Sequence, residues 1–409
     1  MATSTATLPP RAATLRRSAQ ITAGVMFAAM LLVPVAVAVH AGMYDSFVDN
    51  ALSGWGMWGT FAIHMWTRPS RKECATTVGL GLLLRAVYNA AIGERGYPGS
   101  ALIAMGTFLG LASLAVLAAR SLQGGERRGV SRQSLGVIAL LSYIGICLGF
   151  YLALAKMALP RKYDYYLYAF DSSLGFLPSF AAGELAGACA PLDWTLLMVY
   201  NSLGFWFSLL YALHANARVK YPLSILKILV ANAIIGFSLY FLFPAMGPKY
   251  AFPSFPDAPA VVRPMPALLS GVPNAMPSLH FGGTLLIFWL LKPWKWLYRA
   301  AGGFCALTAL ATLGLGEHYL VDLVVAVPYA LAILAFGSTV RERCRALAAS
   351  VSMLAAWLWI LRGGHFTALI SWGLIVLTLS AAATWQRRLG SALFPERAEV
   401  KAPLSVALQ

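Results

Sequence analysis

The chain has 409 residues, 59% of them hydrophobic and 11% charged, with a formal net charge of +16. Soluble domains carry about 25% charged residues, so this composition excludes a soluble globule and points to helices in lipid, where apolar runs of about 20 residues span a bilayer. The basic residues fall in short loops between apolar runs. That pattern excludes a nucleic-acid partner and fits anionic head groups and a positive-inside orientation.

The expected fold is all-α, a polytopic integral membrane protein of about twelve transmembrane helices. A basic N-tail (1–19) leads into an apolar run at 20–41. That run is about twice the length of a signal-peptide core and is read as a retained helix. Spans at 50–66, 74–93 and 99–119 complete an accessory four-span region (20–134). A six-span core (135–340) follows, with spans at 135–158, 193–214, 222–243, 278–292, 299–316 and 318–338. Residues 176–190 are apolar but too short to cross, which suggests an interfacial or re-entrant helix. Two added spans, 345–361 and 366–385, fill 341–385 before a C-tail at 386–409. The five cysteines are scattered, without a C-x-x-C pair, and read as core residues.

With both termini cytoplasmic, the inside segments carry 22 Lys and Arg and the outside segments 6. This is the bias the positive-inside rule predicts. The expected location is a bacterial inner (plasma) membrane.

Two outside loops are long. Residues 159–192 open with "RKYDYYLYAFDSSLGF", rich in tyrosine. The run reads as an aromatic belt at the head-group level, or as the lip of a lipid-binding site. Residues 244–277 hold nine prolines and are expected to form neither a helix nor a central strand. Long loops are more often functional than idle, and this one runs straight into "NAMPSLHFGGT", where His280 sits at the mouth of an apolar helix.

Ionisable groups inside spans default to functional hypotheses. Asp322, in "GEHYLVDLVV", lies one turn into an apolar run, and His318 precedes it by four residues. On a helix, positions i and i+4 share a face, so the carboxylate is expected to accept a hydrogen bond from the imidazole and steady its charged form. Alternating spans place His280 and His318 at the outer ends of neighbouring helices. Ser278 is placed to cap its helix, whose free N–H groups attract phosphate. His280, His318 and Asp322 could instead be metal ligands, but a fourth ligand is not evident.

At "PSLH" (Pro277–His280) and "GEHYLVD" (Gly316–Asp322) the sequence resembles the type-2 phosphatidic acid phosphatase superfamily. Within it the likeness is to the lipid phosphotransferase branch, inositol phosphorylceramide synthases and sphingomyelin synthases. Leu279 stands where phosphatases of the family carry glycine, and His318-Tyr319-x-x-Asp322 looks like the synthase form. The resemblance covers residues 135–338. It implies a membrane enzyme acting on phospholipid or lipid-phosphate donors, with an alcohol acceptor in the transfer case, and with no metal or cofactor. His318 would be the nucleophile, giving a phosphohistidine. Asp322 would orient it, and His280 would act as acid and then base. Two phosphate-clamping arginines of the family are missing or displaced: Ala311 and Thr312 stand where Ser-Arg is usual, and thirteen residues separate Lys249 from Arg263. Phosphate charge still needs partners. Lys249, Arg263, Arg161 and Lys162 are the candidate cations, with Ser278 and Tyr319 as polar neighbours. The expected activity is transfer of a phosphoryl-linked head group between lipids at the outer leaflet. The alternatives are hydrolysis of phosphatidic acid or a polyprenyl phosphate, and a non-catalytic lipid transporter or scaffold.

Overall fold

The computed structural model describes residues 54–92, 101–123, 125, 127–217, 225–259 and 262–394. The expected span at 20–41, the N-tail and the end of the C-tail lie outside them. The described chain is mostly helical, with almost no strand.

The accessory region contributes α1 (Gly54–Trp66), α2 (Arg71–Ile92) and α3 (Ala101–Leu122). Helix α3 packs on both others, and α1 also packs on α8 (Leu203–Ala215), which ties the region to the core. Gly59 makes that contact possible: a Cβ there would fall 2.3 Å from Ser208 Oγ. Small residues at helix crossings are how membrane helices approach closely without a hydrophobic driving force.

The core begins with α4 (Arg127–Ala158) and continues through short helices α5 (Asp164–Ser172), α6 (Pro178–Gly187) and α7 (Ala190–Asn201). After α8 come α9 (Ile225–Leu239), the single turn α10 (Pro248–Ala251), α11 (Leu279–Leu290), α12 (Lys295–Gly314) and α13 (Leu320–Ala335). Helices α14 (Val340–Gly363) and α15 (Ala368–Leu393) close the chain. Helix α13 is apolar all round and buried from Val321 to Ala335, as a helix without a polar face must be. It packs against α11, α14 and α15.

Five helices, α2, α3, α4, α14 and α15, are long and apolar enough to cross a membrane. Helices α7 and α8, bent by 47° at their junction, raise the count to six if taken as one span. The expected twelve full-length spans are not reached among the described residues. Helices α9, α11 and α13 are apolar but hold 15, 12 and 16 residues. At 1.5 Å per residue they reach about 18–24 Å, short of a hydrocarbon core of about 30 Å. The apolar runs are longer than the helices because their ends are spent on turns and caps. The run at 278–292 stops at Leu290 ahead of Pro293, and the run at 318–338 becomes helical only from Leu320.

The two long loops are ordered against each other. Arg161–Lys162 (β1) pairs antiparallel with Ala267–Leu268 (β2), with Arg161 opposite Leu268 and Lys162 opposite Ala267. The proline-rich loop therefore holds a single helical turn, which the sequence expectation did not allow, and a short strand at the edge of a two-stranded sheet, which it did. Its prolines fall between these pieces, except Pro248, which starts its turn where a missing N–H costs nothing. The tyrosine-rich loop carries α5 and α6, the latter within the apolar stretch 176–190 expected to form a short helix, with α6 packed on α12 and α5 on α13.

Candidate active site

The site is built where the proline-rich loop meets the start of α13. Gly316, at φ +70°, turns the chain out of α12, and Tyr319 is the N-cap of α13. His318 therefore lies before the helix rather than on it, so the i, i+4 geometry expected of His318 and Asp322 does not hold. The ring Nδ1 lies 2.9 Å from the Ala275 carbonyl oxygen and 3.6 Å from Asp322 Oδ2. A carbonyl can only accept, so Nδ1 carries the proton and Nε2 holds the lone pair of the neutral ring. The loop carbonyl, not the carboxylate, fixes the tautomer. Asp322 stands within ion-pair distance of the ring and accepts the Tyr319 N–H at 2.8 Å through the same oxygen, while its buried Oδ1 has no hydrogen-bond partner.

Ser278 is the N-cap of α11, with its Oγ accepting the Phe281 N–H at 3.3 Å. Its own N–H donates to the Asp322 carbonyl at 3.2 Å, which locks the starts of α11 and α13 together. His280, in the first turn of α11, stacks on Tyr200 with ring centroids 3.9 Å apart and planes 17° apart. The two imidazoles are close enough to interact electrostatically.

Two carboxylates that the sequence reading passed over hold this assembly. Asp171 accepts the Leu320 N–H at 2.7 Å and the Val321 N–H at 3.2 Å, capping α13 from another helix. Asp164 accepts the Met246 and Gly247 N–H groups, each at 3.0 Å, and the Tyr319 hydroxyl at 3.1 Å. Burial pushes Asp164 up to about 7 and Asp171 up to about 8, against the pull of these donors. The signal was present in their spacing: seven residues are two helical turns, so both acids fall on one face of α5. Gly247 completes the joint. Its φ is +94°, and a Cβ there would lie 2.2 Å from the Glu317 carbonyl oxygen, so only glycine brings the proline-rich loop this close.

Of the expected cations, Lys249 is exposed and starts beside the turn that precedes His318, with its backbone N–H on the Gly316 carbonyl at 3.0 Å. Arg263 and Arg161 are exposed, the latter on β1. Lys162 is fully buried and donates Nζ to the Leu159 carbonyl. Tyr319 is buried with its hydroxyl on Asp164, so its role is to hold the scaffold. Among the described residues no hydrogen bond or ion pair joins Arg161, Lys162 or Arg263 to either histidine. The same residues hold no group of three His, Cys, Asp or Glu arranged to bind a metal ion.

A family model of the PAP2 superfamily matches residues 165–336. The match supports an enzyme of the phosphatase or phosphotransferase kind. It takes in both histidines, Asp322, Asp171 and the proline-rich loop, and leaves α1 to α4, α14 and α15 outside. No curated protein and no solved structure matches the chain.

Proposed function

We propose that this protein is a membrane lipid phosphotransferase that moves a phosphoryl-linked head group between lipids through a phosphohistidine on His318, at the outer leaflet. The observation that carries the reading is the Ala275 carbonyl on His318 Nδ1. It presents Nε2 as the nucleophile and stabilises the proton that the ring must keep once Nε2 is bonded to phosphorus. In the first step Nε2 attacks phosphorus, the bond to the leaving alkoxide breaks, and His280 supplies the proton to that oxygen. In the second, His280 takes the proton of an acceptor hydroxyl as its oxygen displaces Nε2. Asp322 opposes the positive charge of the phosphorylated ring. Lys249, rooted beside Gly316, meets the phosphoryl oxygens, with Arg263 and Arg161 as further partners at the outer rim. The distribution of Lys and Arg along the chain supports an outward-facing site.

The apolar space that His280 borders favours an alcohol over water as acceptor, and so transfer over hydrolysis. Incubation with a head-group-labelled phospholipid and an acceptor lipid should move the label to the acceptor and leave an acid-labile label on the protein. Release of free phosphate at the same rate without an acceptor makes the protein a lipid phosphate phosphatase instead. Lipid movement that persists in His318→Ala makes it a transporter. Turnover is expected to be insensitive to chelators.

A further inference from the structure

His280 borders a cavity of about 320 Å³ lined by residues of α4, α7, α8, α9 and α11, a volume typical of a ligand site. Its walls are hydrocarbon, among them Leu148, Leu152, Phe207, Leu229 and Phe237. Tyr200, stacked on His280, lines it too, as does Asn274, whose buried Oδ1 lacks a hydrogen-bond partner. His318 does not line it; that ring is enclosed by Ala275 and Asp322.

A second cavity of about 170 Å³ lies against the first and shares Leu141, Gly145, Asn201 and Gly204 with it. The far wall of this second chamber comes from α1, through Trp55, Thr60 and Ile63. The partition is thin for a reason visible in the sequence. A Cβ at Gly145 would meet nothing within 4 Å, and one at Gly204 would have Gly56 Cα as its nearest neighbour at 3.9 Å. Interiors are otherwise close-packed, and here two adjoining spaces between His280 and the accessory region share a wall that carries two glycines and so little side-chain volume.

We infer that the long hydrocarbon chain of the lipid alcohol proposed above runs from His280 past Gly145 and Gly204 and ends against α1. The inference rests on the roles proposed for His280 and His318. The phosphoryl group stays on the His318 side. The oxygen whose bond to phosphorus breaks or forms lies at His280, and the proton exchanged with that oxygen resides on His280 or on the alcohol. The accessory region then takes part in substrate selection, since α1 sets how long a chain the site accepts, and Gly145 is the specificity-determining position.

The test uses the full chain in lipid nanodiscs. An octadecyl alcohol carrying a diazirine at its chain end, activated by light, should label residues of α1 or the 138–145 stretch of α4. Labelling confined to α2 and α15 would overturn the inference. In parallel, octyl and octadecyl esters of phosphate serve as donors, and Gly145→Phe should lower the ratio of octadecyl to octyl turnover by at least about tenfold. That is the loss expected when two methylenes are no longer buried. An unchanged ratio overturns the proposal, and if Gly145→Phe does not fold, Gly145→Leu gives the same readout. Labelling of α1 by the wild type without turnover of any phosphate ester would leave the chain path standing and remove the proposed chemistry. Turnover without such labelling would do the reverse.

Discussion

Among the described residues, two clusters of histidine and acid balance charge in opposite ways, one half-buried beside α1 and one fully buried at the start of α13. At the end of α1, His64 is fully buried, with Nε2 3.1 Å from Thr77 Oγ1. The nearby acid, Glu73, pairs with Arg120 at 3.3 Å and Arg127 at 3.5 Å and accepts the Ser70 N–H. Arg120 in turn donates to Thr67 Oγ1 at 3.0 Å. Cations balance this acid, side chain to side chain, in a cross-brace between α2, α3 and the start of α4, tied to the end of α1 through Thr67. At the start of α13 three acids, Asp164, Asp171 and Asp322, are buried, and among the described residues no Lys or Arg forms an ion pair with any of them. Backbone N–H groups serve instead, at positions 246, 247, 319, 320 and 321. A charge balanced by fixed peptide dipoles leaves the histidines unpaired with cations and so available for chemistry. A charge balanced by arginines makes a brace. The same residue types thus give the proposed reactive site in one place and a structural joint in the other.

The largest expected effect is on the reactive cluster. His318→Ala should lower turnover by at least about 10^4-fold, the scale for loss of a nucleophile, while size-exclusion and thermal profiles stay those of a folded protein. Glu73→Ala should leave kcat within about twofold and lower Tm, because only the brace is cut; a comparable loss of turnover would erase the distinction between the clusters. Asp171→Ala removes the cap of α13, a device worth about 0.5–2 kcal/mol, and leaves two buried N–H groups unpaired. Turnover should fall roughly ten- to a hundredfold, measured beside Asp171→Asn, which still accepts one hydrogen bond and should lose less. The smallest effect is on pH. Asp164 and Asp171 hold their protons more tightly in the folded protein than the ordinary carboxylate does. Their contribution is therefore fully present below about pH 4 and is lost as pH rises through about 7 to 8. Between pH 6 and 8.5 Tm should fall by about 2 °C, and the double variant Asp164→Asn, Asp171→Asn should flatten that slope.

The sequence by itself singled out the residues proposed to carry chemistry. His280, His318 and Asp322 stand out because ionisable groups are costly beside apolar runs, and Ser278 reads as a cap from its place before one. It also determined the helical class, since only helices satisfy so apolar a backbone in lipid. Tertiary structure decided how the parts meet. Gly316 ends the regular spacing ahead of His318, so its hydrogen-bond partner is Ala275, a carbonyl forty-three residues upstream in sequence, rather than Asp322. Asp164 and Asp171 look like two solvated loop acids until α5 folds back and sets them on peptide N–H groups some 80 and 150 residues away. Lys162 reads as an outer cation, and pairing with β2 turns it inward. Hydropathy measures how apolar a run is, but where a helix starts and stops depends on caps and turns supplied by distant segments. That is why the apolar runs were legible in the sequence and the lengths of α9, α11 and α13 were not.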